Sequence, residues 1–158
     1  MVAEIPLPPS LRALSVLPRV DYADAWRVPD AGAEARTAEA WARTVLEEAP
    51  ASMRASLRRG WCALGLRLGA TDDPSRVLGW AVRRTTPDHA VLTGRSAMGM
   101  NAELVFARDG DALLFATLIR LRNPLARRVW AMTAAQHRRV VRHLLTQAQR
   151  RTARQAAT

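Results

Sequence analysis

The sequence predicts an α+β chain in which an antiparallel sheet is closed by a long, arginine-rich C-terminal helix. Three observations predict it. The apolar period changes to two after residue 76, Asp109-Gly110 stands between two apolar runs as a hairpin turn, and a helical period runs from Pro124 to about residue 149. The 158 residues suit one domain with one core, and 49% apolar residues are too many for bulk disorder.

In chain order, residues 6–18 (PLPPSLRALSVLP) have prolines at both ends around a short apolar stretch, with Ser10 able to cap one helical turn. Residues 1–18 are therefore a lead-in that packs on a single domain over 19–150. Residues 20–28 alternate as a strand with Tyr22, Asp24 and Trp26 on one side, ended by Pro29. Residues 33–48 read as a helix with a stripe of Ala38, Trp41, Ala42 and Leu46, stopped by Pro50. Residues 51–68 read as a second helix, with Met53, Leu57, Trp61 and Leu64 at helical spacing and Gly69 as its C-terminal cap. Leu78, Trp80 and Val82 alternate on one strand, Thr86-Pro87-Asp88 turns, and strands follow over 90–95, 98–107 and 112–121. A two-residue turn at Asp109-Gly110 pairs Phe106 with Leu113, Leu104 with Phe115 and Glu103 with Ala116. On the last helix, Trp130, His137, Val141, Leu144 and Ala148 share one arc, and Arg127, Arg128, Arg138, Arg139, Arg142 and Arg150 share the opposite one. Arg151 falls back into the apolar arc, so regular packing should end near residue 149 and residues 151–158 form a disordered tail.

All 24 basic side chains are arginine, which a GC-rich genome explains. Their placement is another matter. Residues 112–158 hold ten arginines and no acid, so the formal +10 resides there. Such a surface suits an acidic partner, nucleic acid or an anionic membrane surface. No aromatic residue interleaves the arginines and no nucleic-acid motif appears, so an ordinary solvated face explains them equally. Cys62 is the single cysteine, which leaves no internal disulfide, and beside Trp61 it reads as buried. The Pro-rich start, acidic at Glu4, is unlike a secretory signal, and no apolar run is long enough to span a bilayer; a cytoplasmic location is expected.

Two stretches carry a family resemblance: LPPSLRALSVLPRVDYADAWRV (7–28) and LIRLRNPLARRVWAMTAAQHRRVVRHLL (118–145). In the second, a strand runs into Arg122-Asn123, a Leu-x-Arg-x-x-Trp start opens the helix, and the pair His137-Arg138 precedes a Val-Arg-x-x-Leu run. The chain resembles the uncharacterised bacterial domain of unknown function 2867 family, within the START-like, polyketide-cyclase-like helix-grip superfamily. The resemblance implies a helix-grip fold and an internal cavity between sheet and final helix. It implies no particular activity.

His137, near the middle of the apolar arc, is either a pocket acid or base or a core histidine bonded to a neighbour. Asn101 and Glu103 share one strand face, as polar anchors of the cavity if that face lines it and as outer-face residues otherwise. That face also carries Val105, Leu114, Ala116 and Leu118, so a pocket or a second copy of the chain, as a homodimer, should cover it. Asp24, with Tyr22, completes the candidate catalytic set His137, Glu103, Asn101 and Asp24. Tyr22, Trp80, Met98, Met100, Phe115 and Trp130 are the candidate ligand-binding residues, each equally suited to plain core packing. With no Gly-rich phosphate loop, nucleophile elbow or metal-ligand spacing, no cofactor or metal is expected. The function expected is binding of an apolar or aromatic small molecule between sheet and last helix, as in a cyclase or isomerase. The alternative is a non-enzymatic scaffold acting through its arginine face.

Overall fold

The computed structural model of the chain describes residues 1–30 and 32–158. Twelve elements follow in order: β1 (Ala3–Ile5), α1 (Pro9–Arg12), β2 (Tyr22–Pro29), a 3₁₀ turn (Ala33–Ala35), α2 (Ala38–Leu46), α3 (Ala51–Ala63), β3 (Arg76–Val77), β4 (Trp80–Thr85), β5 (His89–Arg95), β6 (Met100–Asp109), β7 (Ala112–Leu121) and α4 (Pro124–Ala156). The seven strands form one antiparallel sheet in the order β1-β2-β7-β6-β5-β4-β3. The α+β class and the closing helix thus stand as the sequence predicts. None of the described helices is long and apolar enough to cross a membrane.

The two sheet faces carry two cores. On one face Trp26, Leu92, Leu104, Phe106, Leu113, Phe115 and Ile119 meet Trp41 and Val45 of α2 and Trp130, Val141 and Leu145 of α4. On the other, Ala25, Val91, Val105, Leu114, Ala116 and Leu118 are covered by Leu11 and Leu14, with Ile5, Leu7, Leu17 and Val20 packed at the margin. The N-terminal segment is therefore a strap across the outer face, and its first residues, as β1, also extend the sheet. The apolar outer face that the sequence offers to a second copy is covered by the chain itself.

Three turns differ from expectation. The β6–β7 loop is Gly110-Asp111, since Asp109 pairs with Ala112, and Gly110 takes φ 57° at the first central position. The register moves by two residues, so Phe106 faces Phe115 and Glu103 faces Leu118. An even shift leaves every side chain on its expected face. Leu78 and Gly79, with φ 47° and 90°, form a two-residue hairpin loop, so Leu78 is a turn residue and not part of a strand. The second helix ends at Ala63 because Gly65, at φ 74°, closes it. The Leu66 N–H reaches the Trp61 carbonyl at 3.0 Å and the Gly65 N–H the Cys62 carbonyl at 2.9 Å, the two bonds of a Schellman end. Cys62 is exposed, not buried, because α3 buries only Leu57 fully.

Both ends of α4 are pinned. Asn123 caps it, its Oδ1 accepting from the Ala126 N–H at 2.8 Å, while its Nδ2 donates to the Met98 carbonyl at 3.0 Å. Gly99 passes beneath that amide at φ 92°, where any Cβ would collide with it. At the far end Gln149 Nε2 donates to the Pro29 carbonyl and Arg151 to the Thr44 carbonyl, each at 2.7 Å, and Thr152 is buried. The helix consequently continues through the expected tail to Ala156. Arg151 enters the apolar arc by donating to a backbone oxygen of α2, which the helical wheel could not show.

Candidate functional site

Alternation along β2 turns Tyr22, Asp24, Trp26 and Val28 toward α4. On α4, Trp130 and His137 are seven residues apart, two turns along one side, and face that strand. The two elements meet at Asp24. His137 Nε2 lies 2.9 Å from Asp24 Oδ2, the Tyr22 hydroxyl donates to the same oxygen at 2.7 Å, and Trp26 Nε1 donates to Oδ1 at 3.1 Å. Three aromatic rings cluster at this point. Tyr22 and Trp130 meet edge to face at 4.9 Å, and the His137 ring lies 5.0 Å from Trp130 and 6.1 Å from Tyr22.

Asp24 is only 4% exposed. Burial pushes its pKa up, but the hydrogen bonds and charge of His137 and the bonds from Tyr22 and Trp26 outweigh it, and the net shift is downward. The carboxylate is therefore ionised at neutral pH. Tyr22 moves the other way: burial first, then the Asp24 charge, lifts its pKa far above the ordinary tyrosine value, so it stays a protonated donor. An ionised carboxylate only accepts, which assigns the His137 proton to Nε2 and leaves Nδ1 as the free ring position. A carboxylate that orients an imidazole is an arrangement suited to proton transfer. Two further polar atoms, Thr117 Oγ1 and Trp130 Nε1, are buried without a partner among the described residues; Thr117 stands opposite Asp24 in the β2–β7 register.

Beside this cluster a groove of about 880 Å³ runs between β1–β2 and the flank of α4. Tyr22 and Trp26 reach it from the sheet, and Ala131, Ala134, Ala135 and Arg142 from the helix. The volume falls in the range of ligand pockets. Arg142 lies over the Trp26 ring at 5.3 Å, and Arg138 is paired with Glu4 of β1.

Of the residues singled out from the sequence, Tyr22, Asp24, Trp130 and His137 come together. Phe115 is buried next to them, opposite Trp26. Met100 is buried on the same face at the start of β6, opposite Leu121. Trp80 shares the face but sits four strands from β2, about 19 Å away at ordinary strand spacing, edge to face with Trp61. Met98 is half-buried before β6, beside Gly65. Asn101 and Glu103 do not line a space between sheet and last helix, because both point to the opposite face of the sheet. Glu103 anchors the strap there: its carboxylate accepts from the Ser15 hydroxyl, from the Val16 N–H at 3.3 Å and from Arg83 at 3.3 Å. Trp26 and Thr117 were missed as site residues. The β2 alternation pointed to Trp26, whereas Thr117 becomes visible only with the pairing of β2 and β7.

No family model, curated protein or solved structure matches the chain.

Proposed function

We propose that the chain is a helix-grip protein that holds an apolar or aromatic small molecule between β2 and α4, in the manner of a cyclase or isomerase, with Asp24–His137 as a proton-transfer pair that does not itself line the groove and is joined to it through the Tyr22 hydroxyl. One observation carries this reading. A single buried carboxylate collects donors from Tyr22, Trp26 and His137, and two of those residues also form the wall of the groove. The element order supports it as well: a strand, two helices, a run of antiparallel strands, then the helix that closes the sheet.

Calorimetric titration with 1-naphthol, a neutral planar aromatic, tests the reading. We expect one binding site per chain, abolished by Ala135→Trp, which fills the groove from an exposed helix position and so spares the core. Absence of binding to the native chain, or full binding to the filled variant, overturns it. A second reading is a scaffold that engages an acidic partner, nucleic acid or membrane surface. It draws on the ten arginines and no acid of residues 112–158, and it predicts binding that weakens steeply with salt.

A further inference from the structure

The groove beside α4 is cationic on one side only. Arg138, Arg139, Arg142 and Arg150 line it against a single carboxylate, Glu4. Glu4 is spent on Arg138. Among the described residues Arg139, Arg142 and Arg150 hold no ion pair. Arg138 and Arg142 are four apart and Arg139 and Arg142 three apart, spacings at which like charges on a helix repel. The opposing wall is apolar or aromatic, formed by Tyr22 and Trp26, and Ala131, Ala134 and Ala135 leave room for a flat body.

We propose that the ligand of this groove is an organic anion: an aromatic or apolar body bearing one phosphate or carboxylate, which Arg139 and Arg142 hold. The proposal rests on the small-molecule reading above and adds the ligand's charge. Guanidinium forks match the planar or tetrahedral oxygens of such groups. Arg142 is positioned for this by lying over Trp26, and an anion between Arg139 and Arg142 relieves their mutual repulsion. A nucleic-acid strand fits less well, because no aromatic residue interleaves the arginines of α4.

Calorimetric titration of the full chain with 1-naphthyl phosphate, 2-naphthoate and 1-naphthol decides it. We expect both anions to bind at least about tenfold more tightly than 1-naphthol, a difference of roughly 1.4 kcal/mol. The double variant Arg139→Gln/Arg142→Gln should erase that advantage, bringing both anions to the affinity of 1-naphthol for the same variant. Both positions are exposed, and an unchanged melting temperature checks that the variant is folded. Added salt should weaken the anions and not 1-naphthol. Equal affinity for all three compounds, or anion binding untouched by the double variant, overturns the anion assignment and spares the groove. Failure of all three to bind overturns both. Displacement of 1-naphthyl phosphate by a single-stranded DNA of about 20 nucleotides at lower concentration assigns the arginines to nucleic acid instead and also overturns the proposal.

Discussion

Asp24 is a charge that the fold keeps under α4 by surrounding it with donors. Its pKa lies below the ordinary value of about 3.9, so its contribution to stability is complete above that value and is lost as the pH falls through the lower, folded one. Asp24→Asn should destabilise the chain by about 1–3 kcal/mol at neutral pH, the range for disrupting a buried hydrogen-bonded group. The gap between the two chains should narrow below about pH 4, because only the wild type loses this term to protonation. Urea midpoints at pH 7 and pH 3 measure both effects; a gap that does not change with pH contradicts the low pKa. Tyr22 offers a second readout, since it is the only tyrosine. At about pH 10 an ordinary tyrosine is half ionised, whereas the folded chain should show no phenolate absorbance. Asp24→Asn should bring that transition to lower pH, because the Asp24 charge is second only to burial in raising it.

Among the elements, the strap over the outer face depends on one buried acid. Glu103 is 1% exposed and binds Ser15, Val16 and Arg83, and Arg83 also donates to the Leu14 carbonyl at 2.8 Å. Glu103→Ala leaves those donors without their acceptor and should cost about 1–3 kcal/mol. Hydrogen exchange at residues 11–17 should quicken before the rest of the chain responds. Uniform exchange across the sheet would show that Glu103 supports the sheet and not the strap. The far end of α4 behaves similarly. Removing residues 150–158 deletes the Arg151 bond to Thr44 and the burial of Thr152. The melting temperature should fall by several degrees, as a loss of about 1 kcal/mol does in a domain of this size. An unchanged value would mean that the last two turns are ornamental to the fold.

At the scale of the molecule, one sheet separates two surfaces with different duties. The α4 side carries the Asp24 cluster, the groove and the arginines of that helix that hold no ion pair among the described residues, while the strap side is a second apolar core. That core predicts the outcome of truncation. The full chain should sediment as a monomer, whereas a chain lacking residues 1–18 should self-associate, because Val91, Val105, Leu114 and Leu118 lose Leu11 and Leu14 as their cover. A monomeric truncated chain, or a full chain already dimeric, would show that the strap does not guard this face.

The sequence by itself determined the α+β class, the strand alternation, the stop at Pro29, the length of β7 and the split of α4 into apolar and arginine arcs. Those features follow from local period, turn chemistry and charge spacing, which neighbouring residues encode. It also placed Tyr22 and Asp24 on one side of their strand and Trp130 and His137 on one arc of the last helix, but not that the two meet. Tertiary structure alone decided the rest. The hairpin register depended on which two of residues 109–111 turn, and the Leu78 turn is held in a backbone conformation that leucine avoids when left to itself. Which sheet face α4 covers was equally open, because both faces of β6 and β7 are apolar and no local signal distinguishes them. Once α4 covers the face of Asp24, Glu103 must serve the strap, and the closing helix gains the one buried carboxylate that His137 can reach.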